Sequence, residues 1–206
     1  MKKQLIIVTL IAAAATSFAA PGGMIWNFDK DRTGEVPAGF YRSAGQWKVM
    51  VDVTAPSRPN VLAQLAHSSA DTFNLALIAG TSYRNLDLTV RMRAIGGTTD
   101  QGGGLVWHAQ DARNYYVARY NPLTNDYLLY KVHNYGRIEL AHAGIGRTPG
   151  WHTLRVVMTD DHIECYFDGE KYLDVRDATF REAGQIGLWT RADAVTYFDD
   201  LTVQAK

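Results

Sequence analysis

The sequence predicts an all-β chain folded as a two-sheet antiparallel sandwich of the jelly-roll type, on three observations. From Trp151 to Val203 it runs as short strand-like segments, WHTLRVVMT, HIECYFDGEKYLDV, GQIGLWTR and AVTYFDDLTV, split by turn residues and without a helix-length pattern. Asp168-Gly169 is a pair in which both residues tolerate positive φ, so the YF before it and the EKYLDV after it are expected to pair as a tight hairpin. In NLDLTVRMRAI, Leu86, Leu88, Val90 and Met92 alternate with Asp87, Thr89, Arg91 and Arg93, which marks a half-buried strand.

The remaining elements follow in chain order. Met1-Lys2-Lys3, the apolar run Leu5 to Ala15 and the small residues around Ser17-Phe18-Ala19 read as a secretory signal over residues 1–19, cleaved near Ala19 or Ala20 and too short for a stable bilayer anchor. Residues 20–206 then form one domain. Strands are expected at MIWNFD, GQWKVMVDV, VLAQLA, FNLALI, GLVWHAQ, NYYVARYN, DYLLYKVH and RIELAHA, with turns rich in Gly, Pro, Asn and Asp between them. That makes about a dozen strands, the number a jelly roll of two sheets uses. Gly102-Gly103-Gly104 is no phosphate loop, because no helix pattern follows; it suits a strand that starts against a crowded neighbour. Asp177 to Ala183 is the one stretch where a helical turn fits.

Composition narrows the function. Hydrophobic residues make up 47% of the chain, enough for a sizeable core. Without Lys2 and Lys3 the basic count falls from 21 to 19 against 21 acids, a net charge of −2. Such a balance argues against nucleic acid or an anionic membrane as the partner. Cys165 is the only cysteine, so no intrachain disulfide forms, and its alternation with Ile163 and Phe167 points it inward as an inert thiol.

The segments GGGLVWHAQDARNYYVARYNPLTNDYLLYKVHN, WHTLRVVMTDDHIECYFDGEKYLDV and GQIGLWTRADAVTYFDDLTV resemble the concanavalin A-like lectin and glucanase superfamily. Within it they are most similar to laminin-G-like domains and to the bacterial 3-keto-disaccharide hydrolase domain. The resemblance implies a domain that recognises or processes carbohydrate, and the signal pattern of residues 1–19 places it outside the cytoplasm, in the periplasm or beyond; the alternative the resemblance allows is a non-catalytic laminin-G-like module that binds a protein partner or builds the envelope. Two departures bear on catalysis. No carboxylate lies between Asp111 and Asp126, and no strand carries the glucanase spacing Glu-x-Asp-x-x-Glu.

Sugar binding asks for planar rings and fixed polar forks. Trp107, Tyr115, Tyr127 and Trp189 supply rings and Arg91, Arg93, His108, Arg119 and Lys131 supply donors, along strands expected to lie in one sheet; core packing is the competing reading for Trp107 and Trp189. His108 is the expected general base, since abstraction of the acidic proton beside a 3-keto group needs one; a hydrogen-bonded groove histidine is the competing reading. Calcium is the one metal to consider, with Asn27, Asp29, Asp199 and Asp200 offering oxygens where the terminal strands meet; Asp199 or Asp200 capping backbone amides is the competing reading.

Overall fold

The computed structural model describes residues 23–206. The expected signal segment, residues 1–19, lies outside the described residues. Fifteen strands build two antiparallel sheets, and the described residues contain no helix. The eight-stranded sheet runs β13 (Glu170–Arg176), β12 (His162–Phe167), β11 (His152–Thr159), β6 (Leu86–Gly96), β15 (Val195–Ala205), β4 (Asn60–Gln64) and β3 (Trp47–Val51), with β1 (Met24–Trp26) added on β15. The seven-stranded sheet runs β10 (Gly136–Gly144), β9 (Asp126–His133), β8 (Asn114–Asn121), β7 (Gly103–Asp111), β14 (Gln185–Arg191), β5 (Phe73–Ile78) and β2 (Phe40–Ala44).

Alternation sets the interior. Leu86, Leu88, Val90 and Met92 on β6 have no solvent exposure, and they meet Leu105, Trp107, Tyr116, Ala118 and Tyr120 from β7 and β8 across the sandwich. Cys165 joins that core between Ile163 and Phe167, and burial pushes its thiol well above the ordinary range. The Asp168-Gly169 turn has φ of 48° and 89°, the mirror-image geometry that matches strand twist, and pairs Phe167 with Glu170. Asp168 also ties the hairpin down, accepting the Thr153 N–H at 2.8 Å and facing His152 Nδ1 at 2.8 Å.

One strand was not anticipated and one expectation needed revision. Phe40 to Ala44 forms β2, although Gly39 and Gly45 on either side, both at positive φ, make the segment look like loop. Asp177 to Ala183 makes no helical turn. Its start is held instead by side chains, with the Asp177 carboxylate accepting the Thr179 N–H at 2.9 Å and the Tyr116 hydroxyl at 2.6 Å, while Phe180 packs edge-on against Tyr116.

Candidate functional site

The outward face of the seven-stranded sheet carries a second apolar layer: Leu75 and Leu77 of β5, Val106 of β7, Tyr115 and Val117 of β8, Leu128, Tyr130 and Val132 of β9, and Trp189 of β14. Each is one residue out of step with a core residue on the same strand, so the strand period alone places it there. Register then aligns the polar groups. Leu75 pairs with Trp189, Trp189 with Gly104, Gly104 with Arg119 and Arg119 with Leu128, a straight row across five strands. Gly104 leaves the gap in that row, and the Arg119 guanidinium lies over the Trp189 ring at 5.5 Å. A Cβ on Gly104 would come within 1.8 Å of the Ala118 carbonyl, so no other residue fits. The neighbouring row, Arg137, Val132 and Tyr115, brings in β10.

Arg119 is only 3% exposed, and its Nη1 donates to Asp100 Oδ2 at 2.9 Å. Burial works against its charge and Asp100 supports it. Arg191 Nη1 reaches the same oxygen at 3.4 Å. Asp100 gets there because the loop after β6 folds back at Gly97, where φ is 133° and a Cβ would strike the Asp100 carbonyl. Asp193 fixes that loop by accepting the N–H groups of Thr98, Thr99 and Asp100 at 2.7, 3.0 and 3.0 Å. Burial raises the Asp193 carboxyl, but these donors outweigh it and hold the group well below the usual range. Trp189 Nε1 donates to the Tyr115 hydroxyl at 3.2 Å, Phe73 tilts against Trp189 at 5.4 Å, and Arg137 lies 4.4 Å over Tyr130. Phe73, Tyr135, Arg137, Arg191 and Asp71 border a hollow of about 300 Å³. Two guanidinium atoms on this face, Nε of Arg119 and Nη1 of Arg137, are buried without a hydrogen-bond partner.

Of the expected sugar-binding set, the structure brings Tyr115, Arg119 and Trp189 together here, with both rings fully buried. The others go elsewhere. Arg91 and Arg93 lie on β6, in the opposite sheet, because β6 pairs with β11 and β15; Arg91 donates to Thr153 Oγ1 at 3.0 Å and Arg93 to Thr54 Oγ1 at 2.5 Å. Trp107 is core, stacked on Tyr116 with centroids 5.6 Å apart, and Tyr127 is core with its hydroxyl on the Tyr166 carbonyl. Lys131 points to the interior rim, where its Nζ meets Asp177 Oδ2 and Thr179 Oγ1, both at 2.7 Å. Burial raises the Asp177 carboxyl, yet Lys131, Thr179 and Tyr116 together hold it at about 2. Asp100, Tyr130, Arg137 and Arg191 were missed. Arg191 ends the same strand as Trp189, and its shared parity with it was the available signal; Asp100 and Arg137 depend on a loop path and an edge-strand register that no local pattern encodes.

His108 is not placed to act as a base. It is 1% exposed, with Nδ1 facing the Phe180 carbonyl at 2.8 Å and Nε2 facing the Arg84 carbonyl at 2.7 Å. Both ring nitrogens are spent on the backbone, and a φ of 49° at the β7 bulge turns the ring toward Tyr116.

The expected calcium ligands are not assembled by their carboxylates either. Asp29 Oδ1 accepts the Asn60 N–H at 3.1 Å, and Asn27 Oδ1 faces the Asp29 N–H at 3.5 Å. Asp199 accepts the Ser57 N–H at 2.9 Å, the Ser57 hydroxyl at 3.0 Å and the Asp200 N–H at 2.8 Å, the capping role weighed against calcium. With no solvent exposure, its carboxyl is pushed up to about 6, by burial first and by Asp200. Among the described residues, the group of His, Asp and Glu whose ligand atoms lie within 4.8 Å of one another is His162, Glu164 and Asp174, where the Lys171 ammonium already bridges the two acids.

Comparison with known proteins supplies the family. A family model described as a 3-keto-alpha-glucoside-1,2-lyase-like domain matches residues 42–204. No curated protein matches. Among solved structures, the carbohydrate binding module CBM66 from Bacillus subtilis is similar at 18% identity and a TM-score of 0.69, covering 81% of this chain and 96% of that one. The Bacillus licheniformis β-glucanase matches at 13% identity and 0.59, over 91% and 100% of the two chains. An apo Crh5 transglycosylase matches at 12% and 0.62, over 89% and 84%. At these identities the likeness is one of fold, and it confirms the concanavalin A-like jelly roll.

Proposed function

The chain belongs to the 3-keto-alpha-glucoside-1,2-lyase-like domain family, and from that membership we propose that it is an exported domain which recognises glycan on the outward face of its seven-stranded sheet. The observation that carries the reading is the arginine and aromatic cluster there. Arg119, Arg137 and Arg191 stand beside Trp189, Tyr130 and Phe73, and two guanidinium N–H donors lack partners. The Phe73 and Tyr135 rings at the hollow offer apolar surface to a pyranose and the Arg137 and Arg191 guanidinium groups beside them offer donors to its oxygens, while Trp189, Tyr130 and Arg119 lie buried beneath as their support. Export to the periplasm or beyond, supported by the pattern of residues 1–19, belongs to the same proposal.

Processing is the second reading, favoured by the family description. It requires a base, and His108 has no free ring nitrogen to serve as one. A glycan array followed by calorimetry tests recognition: a sugar ligand whose affinity falls with Arg191→Ala is expected. Turnover of a 3-keto-α-glucoside would replace recognition with catalysis. Binding of no glycan at all would turn the assignment toward a protein-binding module.

A further inference from the structure

We propose that the hollow where the β5–β6 connection, the β11–β12 turn and the segment after β13 meet, at one end of the sandwich, is a second ligand site and takes one neutral sugar residue. The inference goes beyond the reading of the outward face and shares no residue with the hollow there.

Three stretches distant in sequence build this end hollow, and each is tied to the other two. Arg84 comes from the β5–β6 connection, Asp160 and Asp161 from the β11–β12 turn, and Ala178, Phe180 and Arg181 from the segment after β13, around a volume of about 220 Å³. Tyr83 and Gly184 exchange backbone hydrogen bonds at 2.9 and 3.1 Å, which joins the first stretch to the third. The Asp160 N–H donates to Asn85 Oδ1 at 2.8 Å and the Asp177 N–H to the Asp161 carbonyl at 2.9 Å, which joins the second stretch to both others. A frame closed in this way is formed before a ligand arrives, so little ordering cost opposes binding.

The groups on its wall are open to a ligand. Arg84, Asp160, Ala178 and Arg181 are exposed and Asp161 is half-buried. Among the described residues, Arg84, Arg181 and Asp160 form no ion pair although they share one hollow, and Asp161 gives only Oδ1 to Arg176, at 2.5 Å. Opposite charges that face one space without touching leave room for a third group between them.

The mixture of signs selects the class of ligand. A simple anion or cation would meet like charge as well as opposite charge on this wall. A polyol suits it, because each hydroxyl can donate to a carboxylate and accept from a guanidinium. Phe180, 8% exposed, and the Ala178 methyl give the same wall its apolar part, which fits the C–H face of a pyranose. The volume is smaller than the about 300–1,000 Å³ of sites for drug-sized ligands, which limits the occupant to one ring rather than a length of chain.

The test is an amide-resolved NMR titration of the isotopically labelled folded chain with methyl α-D-glucopyranoside and methyl β-D-galactopyranoside, and with L-alanine as a zwitterion and sodium sulfate as an anion. At least one glycoside is expected to shift the amides of Arg84, Asp160, Asp161 and Arg181 saturably, with a dissociation constant of about 1 mM or weaker, as suits a ligand of so few atoms. Salt should leave that constant unchanged. Arg84→Ala and Arg181→Ala should each weaken it roughly tenfold by removing a charge-assisted hydrogen bond, and both fold because the two side chains are exposed and unpaired. Arg191→Ala, on the outward face, should not alter it. Shifts at the hollow from alanine or sulfate alone overturn the sugar assignment, as do glycoside shifts that survive both arginine variants. No response there to any probe overturns the site, and glycoside shifts confined to the outward face then leave recognition on that face standing. Shifts at the end hollow with none on the outward face sustain this site and count against the other.

Discussion

Neutralising Asp100 is the sharpest perturbation of this face, because one carboxylate there supports two arginines. In Asp100→Asn the shape is kept and the charge is removed. Arg119, its side chain 3% exposed, is left as a buried cation without a counter-charge, and Arg191, 25% exposed, turns to water. Breaking one side of a buried ion pair costs about 3–5 kcal/mol. For a domain of this size each kcal/mol moves the melting temperature by about 2–4 °C, so Asp100→Asn should melt roughly 6–20 °C lower. Urea unfolding and calorimetry at pH 7 measure both quantities. A companion variant, Asp100→Asn with Arg119→Met, removes the stranded cation as well and should recover most of the loss, since an apolar replacement of a buried pair is close to neutral. If Asp100→Asn stays within about 1 kcal/mol of the unaltered chain, or the companion recovers nothing, the pair is not buried as described and the reasoning about this face fails.

Asp199 gives a pH signature of the opposite sign to that of a salt-bridged acid. Its carboxyl is pushed up to about 6, so between about pH 4 and 6 the folded chain holds a proton that the unfolded chain has released, and stability falls by about 3 kcal/mol as pH rises through that window, then levels off. Asp199→Asn should lose this slope while keeping a constant offset from its poorer fit to the Ser57 donors; denaturant unfolding from pH 4 to 8 measures it, and an unchanged slope would count against the assignment. Gly104→Ala should not fold, because its Cβ would meet the Ala118 carbonyl at 1.8 Å; a soluble product with a wild-type far-UV spectrum would contradict the row of contacts between Trp189 and Arg119. His108→Gln should lose about 1–3 kcal/mol by stranding a backbone carbonyl, yet leave glycan affinity of the folded fraction unaltered; loss of binding without loss of stability would restore His108 to the site.

The fold was far more legible than the site. Inward and outward residues of β6 follow directly from period-two alternation, and the β12–β13 hairpin from Asp168-Gly169, because both are local properties of the chain. The segment β2 escaped because it has one buried residue, Phe40, and lies between two glycines, so its strand character comes from pairing with β5. The same division explains the site. Tyr115 and Arg119 share a strand and a parity, and the structure keeps them together. Arg91 and Arg93 carry the right chemistry but belong to the other sheet, and sheet membership is decided by long-range pairing that alternation does not reveal. His108 and Lys131 were misread for another reason. Their functional-looking groups are consumed by Arg84, Phe180, Asp177 and Thr179, which are distant in sequence.

Cys165 gives the domain a built-in reporter. Its sulfur lies in the core between the sheets on β12, one strand in from the sheet edge, with Ile163 and Phe167 before and after it on the strand and Leu173 and Val156 beside it on β13 and β11, and no second thiol competes with it. Alkylating reagents can reach it when the sheets part along the β12–β13 edge, so the rate of thiol labelling counts openings of that edge. A chain that carries its own clock for sheet separation can show, without any added dye, whether sugar on the outer face steadies the grease on the inner one.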